Sequence, residues 1–547
     1  MEKTKEKKTT SKASTIKKET VKKTTTKTTS TKKVVKKETK KPTKTATKTT
    51  VVEKKAKVEK QPVTKKVVNN LPKTKVLYVA SECHPFCATG GLADVAGGLP
   101  KYIAKTTNTD IRVMLPLYSD IPQEYRKEFK FIGNTKVPLA WRSIYCGVFS
   151  YELDGVTYYF LDNESYFKRS GIYSFFDDGE RFAFTSRAVL EVLPLIDFKP
   201  EIIHCNDWQF GLVPIYLKTT YANNSEYNKI KTIFTLHNTE YQGKFDLSLL
   251  TDLFGIEQKN KGLVEFDNAI NLVKGAVVCC DKFTTVSPSY ANEIYSPEHS
   301  NGLHSIFKEN SYKTVGILNG VDYDFYNPKT DKEVYHNFDV ETFEVKKQNK
   351  LALQKEFGLN QDENVAVLSI VTRMAKHKGL DLIKHCFENF LNQDIQLIVT
   401  GNGDSEFENY FKYLENKYKG KVKVCLGYSN KIARKAYAGS DIFLMPSKSE
   451  PCGISQMIAS RYGAVPVVRE TGGLKDSIKD FGCPEGGNGY TFARYNADDL
   501  AYSIGRALND YKDKESWKEK IKICMNVDFS WNNSAKEYVK IYEELIK

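Results

Sequence analysis

The chain is short of the residues that several common chemistries require. It has 8 histidines among 547 residues, none in the H-x-x-x-H spacing that sets two ring nitrogens on one helix face for zinc. Its 11 cysteines form no C-x-x-C pair, and Cys279 and Cys280 are adjacent and poorly placed to bridge each other. They read as structural thiols of a reducing cytoplasm. No apolar run approaches the ~18 residues of a membrane span, so no membrane insertion is expected. There is no G-x-x-x-x-G-K-[ST] loop, and GNGDSE at 401–406 lacks the third glycine of a dinucleotide fingerprint. Asp322 and Asp324 could hold a cation, but their surroundings, NGVDYDFYNP, read as a turn after VGIL. No metal or other cofactor is expected.

Positive charge is also missing from most of the chain. The net charge is +15, but residues 1–73 hold 25 Lys and 6 Glu, a net of +19. The remaining 57 basic and 61 acidic residues leave the body at −4, which is not the balance of a nucleic-acid binder. Residues 1–73 contain no aromatic side chain and no period that could bury a face, so a disordered tail is expected. Its lysines could tether the chain to an anionic partner or only keep it solvated. It lacks an apolar core region and is rich in Lys rather than Arg, unlike a targeting peptide.

From Lys75 onward, short apolar runs alternate with helical stretches. VLYVAS, IRVMLP, EIIHC, KTIFTLH and KFTTVS form one series; VAVLSIV, IQLIVTG, VKVCLG, DIFLMPS and VPVVRE form a second, after a helical linker near Val345–Leu359. Continuous apolar strands argue for parallel sheets covered on both faces. The fold class is therefore α/β, with two doubly wound, Rossmann-like parallel-sheet domains facing a cleft. The boundaries are 1–73 for the tail, 74–330 for the first domain, 331–527 for the second and 528–547 for a C-terminal helix.

Each series carries Thr-Gly-Gly-Leu-x-Asp, at Thr89 and again at Thr471. Glycines between a strand and a helix let the backbone approach a ligand, and the helix offers free N–H groups. The two copies suggest related loops facing one cleft. Ligands of such sheets bind beyond the carboxyl ends of the strands. Glu82, Asp207, His237, Asn238, Arg373, Lys378, the 401–404 loop and Glu450 all stand there. Arg373 and Lys378 in TRMAKHKGLDLI suit a diphosphate, Arg as a planar fork and Lys as a point charge. Glu450 could cap a helix or hold a sugar hydroxyl. Asp207 could be a helix cap, and His237 a hydrogen-bonded structural residue.

These stretches resemble the bacterial glycogen synthases and plant starch synthases, two-domain GT-B transferases that build α-1,4-glucan from nucleotide-sugars. The resemblance runs from KVLYVASECHPF and TGGLADVAGGLP through HCNDWQFGLVP, TLHNTEYQG, TTVSPSYANEI and ILNGVD. It continues through TRMAKHKGLDLI, SKSEPCGISQ, VPVVRETGGLKDSI and DFSW. It implies retaining transfer of glucose from ADP-glucose, with UDP-glucose as the alternative donor, to the non-reducing end of glycogen or starch in the cytoplasm. It also implies that the C-terminal helix packs back on the first domain. His237, Arg373, Lys378 and Glu450 would be catalytic. Gly90, Gly91, Asn319, Tyr428, Cys452, Gly453, Ser455, Thr471, Gly472 and Gly473 would bind the nucleotide-sugar. Glu82, Asp94, Asp207, Asn238 and Tyr241 would shape the acceptor side. Two departures stand out. The family's Lys before Thr-Gly-Gly or Val-Gly-Gly is Ala88 here, and the His after Asp-Trp is Gln209. A weakened, glucan-binding homologue is the reading that Ala88 leaves open.

Overall fold

Val76, Leu77, Tyr78 and Val79 are all fully buried, as a strand covered on both faces requires. They belong to β1 (Thr74–Val79), the centre of a nine-stranded sheet in a computed structural model that describes residues 73–427 and 429–547. The expected tail (apart from Lys73) and Tyr428 lie outside the described residues. The other strands are β2 (Thr109–Pro116), β3 (Lys130–Leu139), β4 (Arg142–Leu153), β5 (Val156–Asp162), β6 (Ile202–Asn206), β7 (Lys231–Leu236), β8 (Lys282–Thr285) and β9 (Thr314–Gly316). Their order is β9-β8-β7-β6-β1-β2-β5-β4-β3. The sheet is parallel except for β3–β4 and β4–β5. The βα alternation expected throughout therefore fails over 130–162. There, Asp154 and Gly155 both take positive φ, 53° and 81°, and make the two-residue hairpin turn that antiparallel strands need.

The second sheet is wholly parallel: β10 (Ala366–Val371), β11 (Ile395–Gly401), β12 (Val422–Leu426), β13 (Ile442–Met445), β14 (Val465–Arg469) and β15 (Tyr490–Phe492), in the order β12-β11-β10-β13-β14-β15. In both sheets the chain runs out one way from the first strand and then returns to its other side. The switch points are β1/β6 and β10/β13.

Five helices matter for the site: α1 (Gly91–Thr106), α2 (Pro288–Glu293), α3 (Ser455–Arg461), α4 (Gly472–Ser477) and α5 (Trp531–Ile546). The last of these returns to the first sheet. Trp531 is buried against Gly98 of α1, where a Cβ would meet its indole nitrogen at 2.2 Å. Tyr542 OH bonds His204 Nδ1 of β6 at 2.9 Å. The chain's two passages between the sheets are stitched together. Val321 N donates to Phe529 O at 2.7 Å, Phe529 N to Tyr323 OH at 2.9 Å, and Tyr323 OH to Val527 O at 3.1 Å.

Candidate active site

Glu82 follows β1 and folds its carboxylate under the first Thr-Gly-Gly loop. It accepts the N–H groups of Thr89 and Gly90 and the Thr89 hydroxyl, at 2.5, 3.2 and 2.9 Å. It therefore shapes the loop from within, and burial raises its pKa. Gly90 and Gly91 stay exposed, and a Cβ at Gly91 would lie 3.7 Å from Ile454 Cδ1 of the other half. The first loop thus faces the segment that begins α3.

Asp207, after β6, takes a positive φ of 56°, uncommon for a residue with a side chain. The strain aims its carboxylate at the next strand end, where it accepts His237 N at 2.7 Å. Burial pushes its pKa up to about 7. His237 directly follows β7, with Nε2 at 2.9 Å from Asn206 Oδ1, which also accepts Tyr78 OH at 2.9 Å, while Asn206 Nδ2 donates to Val79 O. This network assigns the His237 proton to Nε2 and leaves Nδ1 as an acceptor. Burial lowers its pKa to about 3, so the ring is neutral. Asp94 on α1 stands 3.6 Å from His84, and burial with the nearby Glu82 charge raises it to about 7. Asn238 turns the chain, its Oδ1 accepting Glu240 N, and Tyr241 stands half-exposed beyond it.

On the other side of the cleft, Lys378 Nζ lies 2.7 Å from the Glu450 carboxylate, which also accepts Ser447 Oγ at 3.0 Å. Arg373 is exposed and reaches across to Tyr241 OH at 3.4 Å. Both cations stand at the β10/β13 switch point. Asn319 is buried beside Cys452, whose thiol burial pushes up to about 12. Its Oδ1 has no hydrogen-bond partner among the described residues. Gly453 holds φ 72°, the turn that leads into Ser455 at the start of α3, where no side chain caps the helix.

The backbone N–H groups of two further strand-to-helix loops already have partners within the chain. In the 401–404 loop, Gly403 N is taken by Glu408 and Asp404 N by Met374 O. Its glycines serve packing, since a Cβ at Gly401 would lie 1.8 Å from Thr372 O. In the second Thr-Gly-Gly loop, Gly472 N is bonded to Glu293 of the first half, and Gly473 N to the carbonyls of Glu450 and Pro451. Thr471, Gly472 and Gly473, which the resemblance assigns to the nucleotide-sugar, are buried there and brace the Glu450 loop. Asp322 and Asp324 are engaged by Lys101 at 3.1 and 3.0 Å, a partner set for a cation on the chain itself. The bracing residues Ser287, Ser289 and Glu293 went unassigned in the sequence, although they lie in the TTVSPSYANEI stretch.

Residues 75–309 match the model of the starch synthase catalytic domain, and residues 352–523 that of the glycosyl transferases group 1. The chain is 48% identical to a glycogen synthase of Clostridium botulinum over 86% of its own length and 99% of the relative's. It is 47% identical to one from Anoxybacillus flavithermus, over 86% and 98%. The chain belongs to the glycogen and starch synthase family. Among solved structures, the catalytic domain of starch synthase IV from Arabidopsis thaliana, bound to ADP and acarbose, superposes with a TM-score of 0.82 at 32% identity, covering 87% of this chain and 99% of that one. A sucrose-phosphate synthase from Thermosynechococcus elongatus shares the fold at 14% identity and a TM-score of 0.56. Membership makes the chain a glycosyltransferase that moves glucosyl units to a glucan. Among the described residues, no helix is long and apolar enough to cross a membrane.

Proposed function

We propose that the chain extends an α-1,4-glucan with glucose from ADP-glucose, with retention at the anomeric carbon and without a metal ion, in the cytoplasm. The observation that carries the donor reading is the pair of cations after β10, Arg373 and Lys378, beside the uncapped start of α3. A departing nucleoside diphosphate gathers negative charge, and preorganised cations in a partly dry cleft stabilise that charge as it develops. In the resting site Lys378 is neutralised by Glu450, so an incoming diphosphate competes for it and frees the carboxylate for a sugar hydroxyl. Asn319 Oδ1, buried and unpartnered, is a second acceptor for the donor sugar. Neutral His237 presents Nδ1 to the sugar without adding a charge that would compete with the two cations. The solved starch synthase relative is bound to ADP and acarbose, which supports a nucleotide-linked donor and a saccharide acceptor for this chain.

The deciding experiment incubates the purified protein with glycogen and radiolabelled ADP-glucose or UDP-glucose, with and without EDTA. Label should enter polymer from ADP-glucose at an undiminished rate in EDTA. Dependence on added Mn²⁺ or Mg²⁺ would overturn the cation-only account, and faster incorporation from UDP-glucose would reassign the donor.

A further inference from the structure

Three side chains between Ser287 and Glu293 cross to the other half, and none belongs to the donor or acceptor constellation. Ser287 Oγ donates to Pro451 O at 2.6 Å. Ser289 bonds the Asp476 carboxylate twice, through N at 2.8 Å and Oγ at 2.7 Å. Glu293 accepts Gly472 N at 2.8 Å and the Thr471 hydroxyl at 3.3 Å. Arg469 and His299 also face its carboxylate, the His299 ring at 3.8 Å. From α4 the linkage runs on through backbone, because Gly473 N donates to Glu450 O at 3.1 Å and Pro451 O at 3.2 Å. No slack exists along this path. A Cβ at Gly472 would lie 2.1 Å from Glu450 O, and one at Gly473 would lie 2.2 Å from Cys452 O.

We propose that Glu293, assisted by Ser287 and Ser289, is a positioning residue for the transfer reaction. It seats α4 against the first half, and α4 in turn fixes the loop that carries Glu450 and Cys452 and leads into Ser455. The donor-side groups then take their places only when the two halves are docked. Losing the carboxylate leaves Gly472 N, a buried donor, without its charged partner. The kinetic part of this inference rests on the proposed transfer; the structural part does not.

The test compares the full-length protein with Glu293→Ala and Glu293→Gln by hydrogen exchange and steady-state kinetics. In Glu293→Ala, exchange over 450–456 and 472–477 should quicken about tenfold or more, while peptides from β1 and β10 keep the parental rate. With ADP-glucose and glycogen, kcat should fall about tenfold, with KM for glycogen within about twofold of the parent. Glu293→Gln, whose amide oxygen still accepts from Gly472, should recover most of both. Should Glu293→Ala fail to fold, Ser289→Ala is read in its place, with quickened exchange over 472–477 expected. Parental exchange over 450–456 in Glu293→Ala, or over 472–477 in the serine variant, overturns the proposal whatever the activity. So does a loss in which Gln is as poor as Ala and the melting temperature drops in step. A parent that transfers no glucose from ADP-glucose would sink the proposed reaction, and the exchange data would still decide the role of Glu293.

Discussion

Ala88 stands exposed before the first Thr-Gly-Gly loop, where the synthase family has lysine. Among the described residues, neither Lys101 nor His84 replaces that charge. Lys101 is engaged by Asp322 and Asp324, and His84 is held below its ordinary pKa by burial and by Arg434. Ala88→Lys is therefore expected to raise kcat/KM for ADP-glucose, by about tenfold if the new contact forms in the transition state. A tenfold loss with the fold intact would mean that the small side chain is part of how this site works. Arg373 makes its cross-cleft contact from an exposed position, so Arg373→Ala should lower kcat by about 10² while leaving the melting temperature unchanged. Equal kcat in variant and parent would remove Arg373 from the leaving-group site. Asp207 makes a pH-dependent contribution. Its folded pKa of about 7 exceeds the ~3.9 of an unfolded aspartate, so the folded protein holds the extra proton between these values. The stability it contributes is full below pH ~3.9 and is lost as pH rises through about 7. Asp207→Asn should thus gain in melting temperature relative to the parent from pH 4 to pH 7, and parallel curves would show that Asp207 is ionised in the fold.

Among the elements, the short apolar strands were legible because burial on both faces leaves little room for polar residues. The β3–β4–β5 hairpin was not read, although Asp154-Gly155 between VFSYEL and VTYYFL is the short-range signal that marks it. The repeat at Thr89 and Thr471 marked two strand-to-helix turns correctly but not their different fates. One loop faces the cleft, while the other is consumed by Glu293, a partner 178 residues away in sequence that no local pattern reveals. The positions of Arg373, Lys378 and Glu450 at the cleft were legible because the carboxyl ends of the strands converge by topology alone. The bracing contacts depend on how the halves dock, which no motif encodes. Packing also explains a glycine that the motif reading passed over. At Gly98 a Cβ would overlap the Trp531 indole, so Gly98→Ala should displace α5 and destabilise the protein by about 1–3 kcal/mol. Calorimetry, with proteolysis near residue 528 as a second reading, checks this; an unchanged melting point would mean that α5 tolerates the shift.

For the molecule as a whole, charge and chemistry are segregated along the chain. The excess of lysine lies before Thr74, and every group of the candidate site lies after it. Deleting residues 1–72 should leave the melting temperature and kcat within experimental error of the parent. A clear drop in either would give the basic segment a structural or gating role. The return of α5 to the first sheet has a further consequence. Residues 531–546 belong to the second half by chain order and to the first by packing, with Trp531, Tyr538 and Tyr542 sunk beside β6 and α1. A polypeptide cut near residue 330 would therefore yield two pieces, the second holding part of the first one's interior. Co-expressed as 1–330 and 331–547, they should find one another, co-purify as a one-to-one pair and recover transferase activity, as a split enzyme assembled without a tether.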